Sequence, residues 1–597
     1  MSRYELGNFC VDESRPMKVV VIGAGYSGKS LNFLLPEMEI SILLLGIISG
    51  IRLRQKVKNI DLVIYEANNG IGGTWLVNKY PGLACDIPSH CYQLTFENNK
   101  HWSSFYSPGP EILQYLEGVV DKYKLRPFVK LQHRVSRLRY NETSGKWHIS
   151  VAKPIPGNDN ETEMLEDTAD IVISAVGNLR IPSWPEIPGI ETFEGGLIHS
   201  ADWKTQEGEG AWEDTVKTWG NKRIGVIGVG SSAIQIVASL QPRVKHLVNY
   251  VRGKTWISGT FVKDKLLELS GGEELPNCQT VPDYFNEQDF ERFKDDHQYQ
   301  EWRRELEGDL NVSIRFILVI SHSSLSQGGH LATIHGHPIN EFAQEEFKKD
   351  MLQRLAKRPW IADHLIPDFS IACRRLTPGP GYLEALCEDN CDFVPTPIKR
   401  ILAGGIETVD GKIQKLDVII CATGFDTSCK YEFPILGRNG LDLADKYTPY
   451  PQTYLGLAVE GFPNFFHAFG PNSGVGAGSL LLIIERQIDY IVKAILKMQR
   501  ERLKSMEVKK EAVNDFDEYL VTAFGQKCRS WYKVGKSEDG RIVALWPGSP
   551  LHAAKTFEHP RWEDFNYERL DGDRKNRFYF LGDGSTVADV APGEDSE

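Results

Sequence analysis

Two short apolar runs each end in a glycine-rich turn, and a stretch with helical periodicity follows each turn. The first run is Lys18-Val19-Val20-Val21-Ile22, leading into Gly23-Ala24-Gly25-Tyr26-Ser27-Gly28. The second is Arg223-Ile224-Gly225-Val226-Ile227, leading into Gly228-Val229-Gly230-Ser231-Ser232-Ala233. Unbroken apolar runs bounded by turn residues fit strands buried on both faces, as in parallel sheets. Ala169–Gly177 and Leu416–Phe425 repeat the pattern, each an apolar run opening into a small-residue turn where the chain crosses between domains. Late in the chain, Phe465–Ser473 carries a Gly470-Pro471 turn ahead of a helical stretch through Glu485 and Tyr490. The pattern predicts an α/β fold with two Rossmann-like dinucleotide-binding domains. The acidic, helix-rich stretch 282–363 predicts a helical cap inserted in the second of them.

One glycine-rich turn is weak evidence, because such turns are common. Two, each after a strand and before a helix, are much stronger. The glycines permit a tight turn and close approach of backbone N–H groups to a pyrophosphate, and the helix N-terminus adds a favourable dipole. Gly23, Gly25 and Gly28 are therefore the candidate residues of the first turn. Gly228, Gly230, Ser231, Ser232 and Ala233 are those of the second.

An acidic residue at the end of the second strand normally takes the ribose hydroxyls, about 20 positions past the turn. That strand reads plainly as Ile60–Tyr65 and its acid as Glu66, yet Glu66 lies 38 positions after Gly28. The excess is Lys29–Gly46, 18 residues, and the helix expected straight after Gly28 reads as Ile47–Lys56. We read the segment as a translated, unspliced intron. Gly28-Lys29-Ser30 can be encoded across a consensus splice donor, and Leu45-Gly46 across an acceptor. Excision keeps the reading frame. A genuine surface insertion is the other reading.

Composition adds bounds. The chain has 597 residues, 41% hydrophobic and 25% charged, ordinary values for a globular protein of several domains. A net charge of −12 argues against a nucleic-acid partner. Ten cysteines with no CxxC spacing suggest reduced thiols, no metal site and a cytoplasmic location. The polar, charged start of the chain does not read as a secretory signal. Ile42–Ile51 is well short of the roughly 20 residues that span a bilayer. Histidines 322, 330, 335 and 337 lie in a Ser/Gly-rich stretch, Val319–His337, that reads as a loop rather than a metal centre.

Downstream of Glu66 come Gly72-Gly73-Thr74-Trp75, then Asp86, Ile87 and Tyr92. Small residues let the backbone approach a planar cofactor, and Trp75 offers a stacking face. Gly73, Thr74, Trp75, Asp86, Ile87, Tyr92 and Val135 are candidate flavin contacts. Between the two turns lies Phe193-x-Gly195-x-x-x-His199-x-x-x-Trp203.

Both turns, the Gly-Gly-Thr-Trp motif, this strip and the two small-residue turns resemble flavin-containing monooxygenases of the Baeyer–Villiger type. The resemblance spans residues 17–570 apart from the two irregular segments. It points to fungal secondary-metabolism members through Cys373–Glu384 and Ala544–Ser549. The family strip usually continues with Pro or Asp where this chain has Lys204. Trp203 favours the Baeyer–Villiger branch over the N- and S-oxidising branch, which prefers Tyr. The resemblance implies one component with bound FAD, reduced by NADPH, whose reaction with oxygen inserts an oxygen atom beside a ketone carbonyl. Arg375 is then the catalytic cation, because arginine never loses its charge, with Asp86 holding it. Arg374 and Arg252 take the 2′-phosphate of NADPH. His199 organises the linker and transfers no proton.

The expected layout is a FAD domain from 1–185 and 401–597, with an NADPH domain from 186–400 that includes a helical insertion at about 261–368. Trp546-Pro547-Gly548-Ser549 fits either a substrate-pocket wall or a packed aromatic turn. Expected partners are a small ketone and O2, with no nucleic acid, no membrane span and at most weak self-association. The rivals are an N- or S-hydroxylating flavin monooxygenase, a dithiol flavin reductase disfavoured by the missing CxxC, and a product made inactive by 29–46. Transcript sequencing separates the readings of that segment. Messages lacking its 18 codons are expected, and their absence under every growth condition would mean a true insertion.

Overall fold

The computed structural model describes residues 6–23, 42–155, 158–177, 181–203, 211–259, 285, 287–311, 336–475, 478–523, 530, 532–537, 539–571 and 576–590. Its first stretch runs β1 (Met17–Ile22), α1 (Ile42–Lys56), β2 (Ile60–Tyr65), α2 (Thr74–Val77), β3 (Val129–Lys130), β4 (Arg134–Asn141), β5 (Lys146–Ile155), β6 (Asn158–Ala169) and β7 (Ile171–Ser174). Next come β8 (Gly196–His199), β9 (Arg223–Ile227), α3 (Ser231–Leu240) and β10 (His246–Tyr250). Helices α4 (Glu287–Phe293), α5 (Asp296–Asn311), α6 (Pro338–Arg354) and α7 (Trp360–Leu365) follow. The chain then supplies β11 (Cys391–Val394), β12 (Val418–Cys421), β13 (Phe465–His467) and α8 (Leu480–Arg500).

Two parallel sheets result, in the orders β13-β7-β1-β2-β3 and β11-β10-β9-β12-β8. Their central strands are buried along their length, which is why they read as unbroken apolar runs. Ile22 pairs with both Tyr65 and Ser174, so β1, β2 and β7 end level with one another. Ile227 likewise pairs with Tyr250 and Cys421. Each sheet thus presents one edge of carboxyl ends, where ligands of such folds bind.

β4, β5 and β6 form an antiparallel sheet. β4 alternates between buried and more exposed positions, as expected for a sheet covered on one face. Trp147 is fully buried, packs near Tyr140 and Phe465, and donates from Nε1 to the Pro463 carbonyl at 2.9 Å. It joins this sheet to the first parallel one.

The helix expected from Ile47 begins at Ile42 instead. The apolar residues from Leu45 to Ile51 are buried, so packing starts the helix ahead of Ile47. Its far end is fastened to α8. Lys56 meets Asp489 at 2.7 Å, Arg52 lies 3.8 Å from both Glu485 and Asp489, and the Arg52 guanidinium sits 4.1 Å over Phe96. Residues 24–41 lie outside the described residues.

The two crossings between sheets run side by side. Pro182 bridges Phe425, and the Thr423 hydroxyl donates to the Ser183 carbonyl at 2.6 Å. The second sheet takes β12 from beyond the boundary expected at 400, because β12 sits between β8 and β9 in parallel register. Helices α4 to α7 occupy the acidic stretch read as a cap. Residues 319–335 lie outside the described set, and the His337 ring accepts from the Ile339 amide to cap α6. Among the described residues no group of His, Cys, Asp and Glu could hold a metal ion. Among the described residues seven cysteines are free thiols and Cys373 is disulfide-bonded, which corrects the expectation of reduced thiols throughout. No described helix is long and apolar enough to cross a membrane.

Trp147 supplies a test of how the sheets are joined. Trp147→Phe leaves the Pro463 carbonyl without its donor and is expected to cost about 1–3 kcal/mol. Trp147→Ala also leaves a cavity and is expected to cost about 3–5 kcal/mol. Denaturant unfolding of the two variants measures both.

Candidate active site between two dinucleotide folds

Gly23 follows β1 directly, and its amide donates to the Tyr65 carbonyl at 2.9 Å, whereas Gly25 and Gly28 lie outside the described residues. Glu66 stands where the strand end places it. One carboxylate oxygen accepts from the Asn68 amide and side chain, both at 2.9 Å. The other, Oε2, is buried without a partner. Burial outweighs those hydrogen bonds and pushes the Glu66 carboxyl up to about 7. A buried acceptor with one spare oxygen is suited to a ribose hydroxyl. The loop before β4 runs beside it, since the His133 amide donates to the Glu66 carbonyl at 2.8 Å. Val135 itself is buried in the apolar layer between sheets.

Gly73 takes φ +53 and starts α2. Thr74 accepts at Oγ1 from Asn78 at 2.7 Å, and Trp75 donates from Nε1 to the Tyr92 hydroxyl at 3.2 Å. The Trp75 and Tyr92 rings meet edge to face at 5.4 Å. Ile87 is buried in the main core.

Asp86 and Arg375 form a two-pronged ion pair. Nε of Arg375 donates to Asp86 Oδ2, and Nη2 donates to Oδ1 at 2.7 Å. Their side chains are only 20% and 27% exposed. Burial alone would lower the arginine, but the charge and hydrogen bonds of Asp86 hold it above its ordinary value, so it stays cationic. Burial raises the Tyr532 phenol, and the charges of Arg375 and Asp86 both act on it, so the C-terminal segment reaches this pair.

The second turn lies between β9 and α3 as the motif requires. Gly228 takes φ +129, and a side chain there would collide with the Ala422 carbonyl. A side chain at Gly230 would instead meet open space. Ala233 is buried, Ser232 is half-buried, and the Ser231 hydroxyl pairs with that of Thr377 at 2.7 Å. Arg252 is exposed just past β10. Arg374 donates to the Lys254 carbonyl at 2.7 Å and lies 5.2 Å over Phe369, so both arginines border one loop.

The strip between the turns forms β8 and its exit. Phe193 is half-buried, Gly195 exposed, and His199 and Trp203 buried. Burial pushes His199 down to about 4, so the ring is neutral. Its Nδ1 accepts from the Ala201 amide at 3.2 Å, and its Nε2 lies 3.4 Å from the Thr423 hydroxyl. Trp203 packs against Trp219 at 5.6 Å. Lys204 lies outside the described residues. Trp546 packs between Phe516 and Phe557 and donates to His552 at 3.0 Å.

Sequence reasoning missed Asn249. Fully buried on β10, it donates to the carbonyls of Val226 at 3.1 Å and Gly228 at 3.0 Å, and accepts from Tyr382 at 2.9 Å. It holds the second turn from behind. A lone amide inside the apolar strand His246–Tyr250 was the available signal.

Two dinucleotide-type folds and a fixed Asp86–Arg375 pair match the site expected of a flavoprotein oxidoreductase. The flavin-binding monooxygenase-like family matches residues 87–266, and an NAD(P)-binding Rossmann-like domain matches residues 44–108. The chain is 35% identical to the FAD-binding monooxygenase tazF of Aspergillus terreus, over 96% of this chain and 92% of the relative. It is 33% identical to a Baeyer-Villiger monooxygenase of Pseudomonas aeruginosa, over 90% and 88%. The closed crystal structure of cyclohexanone monooxygenase superposes with a TM-score of 0.73 at 25% identity, over 94% of this chain and all of that one. The chain belongs to the flavin-binding monooxygenase family.

Glu66 makes the ligand-free protein sensitive to pH. Its folded value lies above the ordinary 4.5, so ionised Glu66 costs stability. That cost is absent below about 4.5, grows as pH rises toward 7, and is complete above 7. Glu66→Gln is expected to gain about 3 kcal/mol over the wild type at pH 8 and almost nothing at pH 4. Unfolding both proteins at the two pH values measures it.

Proposed function

We propose that the chain is an FAD- and NADPH-dependent Baeyer–Villiger monooxygenase of fungal secondary metabolism. It inserts one atom of O2 next to a ketone carbonyl and yields an ester or lactone. The observation that carries the reading is the Asp86–Arg375 pair, held by residues 289 positions apart beside both dinucleotide folds. The names of the relatives from Aspergillus terreus and Pseudomonas aeruginosa support it.

The residues present fit both cofactors. Glu66, with its spare buried oxygen, would hold the adenosine ribose of FAD. Gly73, Thr74, Trp75, Ile87 and Tyr92 would line its ring system. The Gly228–Ala233 turn, open at Gly230, would receive the NADPH pyrophosphate, with Arg252 and Arg374 at the 2′-phosphate. When bound, the nicotinamide supplies hydride and the flavin supplies the oxygen-transfer chemistry. Arg375 offers a permanent positive charge to the negative charge that develops on the reacting oxygens. Asp86 fixes the plane of that guanidinium. His199, neutral and pinned to the Thr423 turn, sets the crossing between sheets and moves no proton.

Residues 29–46 bear on whether this particular chain is active. The Rossmann-like match begins at residue 44, which supports reading residues 29–43 as foreign to the fold, whereas residues 44–46 fall within the match and within α1.

Arg375→Ala tests the mechanism. It is expected to retain NADPH-driven bleaching of the flavin and to lose ester formation, measured by absorbance and by product analysis on the same sample. Retained oxygenation removes Arg375 from the mechanism. Offering a ketone and a sulfide side by side separates this chemistry from S-oxidation.

A further inference from the structure

Helix α3 begins at the second glycine turn, and one of its faces touches both flanks of the Asp86–Arg375 pair. Ser231 and Gln235 are four residues apart and share that face. The Ser231 hydroxyl pairs with Thr377 at 2.7 Å, two residues past Arg375. Gln235 donates from Nε2 to the Ala84 carbonyl at 3.1 Å, two residues before Asp86. Its other end, Oε1, accepts from the buried Tyr80 hydroxyl at 3.1 Å.

The backbone is shaped for this contact. Gly82 takes φ +75, and a side chain there would run into the Ser239 hydroxyl and, at 2.9 Å, the Gln235 carbonyl. Segment 80–84 can therefore lie directly on α3. Both polar ends of Gln235 are spent on that segment. The chain from Ala84 passes through Cys85, whose amide donates to Ser107 at 3.1 Å, straight into Asp86.

We propose that the Ser231/Gln235 face of α3 is a positioning device that ties occupation of the second glycine turn to the placement of the Asp86–Arg375 pair. The inference rests on reading that turn as the NADPH site and Arg375 as the reacting cation. A dinucleotide that settles the N-terminus of α3 then also settles Ala84 and Thr377, and with them the two charged side chains. Gln235 acts as a positioning residue. The amide geometry suits it, since one side chain both donates to a backbone carbonyl and accepts from a phenol.

Hydrogen–deuterium exchange on the flavin-loaded protein reads the coupling without turnover. Adding NADP+ is expected to slow exchange about fivefold in segment 83–87 as well as at the start of α3. In Gln235→Ala the protection of α3 stays and that of 83–87 is lost. Thr377→Val, on the other flank, serves as a second variant and is expected to lose protection at 373–377. With a ketone present, the share of NADPH that ends in product rather than hydrogen peroxide is expected to fall about fivefold in either variant. Protection at α3 without any at 83–87 in the wild type overturns the inference, as does a Gln235→Ala protein whose 83–87 segment is still protected. No protection at α3 in the wild type defeats the NADPH assignment itself, and the inference falls with it.

Discussion

A guanidinium held mostly out of water needs a permanent counter-charge, because an unpaired charge there costs several kcal/mol. Asp86 supplies that charge to Arg375 through two parallel hydrogen bonds. The partners come from opposite sides of the chain, one after α2 and the other after the helical stretch α4 to α7. Helix α3 reaches both flanks of the pair, through Gln235 to Ala84 and through Ser231 to Thr377. Much of the architecture can be understood as what holds two charged side chains at one point.

The two dinucleotide folds meet this demand unequally. In the second, strand, turn and helix follow one another directly, and Asn249 braces the turn from behind. In the first, 18 residues separate Gly28 from Ile47. The fold beyond them is anchored independently of the turn. Lys56 and Arg52 fasten α1 to α8, and level strand ends carry Glu66 to the ligand edge. Packing downstream therefore rests on contacts that lie outside the turn.

Legibility in the sequence followed burial. β2 and β9 have the ends that their apolar runs suggested, because the buried part of each strand admits no polar residue. The start of α1 was misplaced, since Ile42–Gly46 is as apolar as the helix proper and periodicity does not separate them. β12 was assigned to the wrong half, because an apolar strand carries no mark of which sheet it joins. Asp86 and Arg375 were found through motif resemblance. Asn249 and Gln235 were passed over, since their partners Tyr382 and Ala84 lie more than a hundred positions away.

The sequence by itself determined the α/β class, the two glycine turns and the types of side chain available to each. These follow from local rules of φ freedom, hydrophobic periodicity and charge that act within a few residues. Only the tertiary structure decided that Asp86 grips Arg375 through two parallel hydrogen bonds, that Glu66 keeps one buried oxygen free, and that α3 lies against both flanks of the ion pair. Those outcomes depend on through-space distances, on the water excluded from each group, and on polar partners that chain order does not place together.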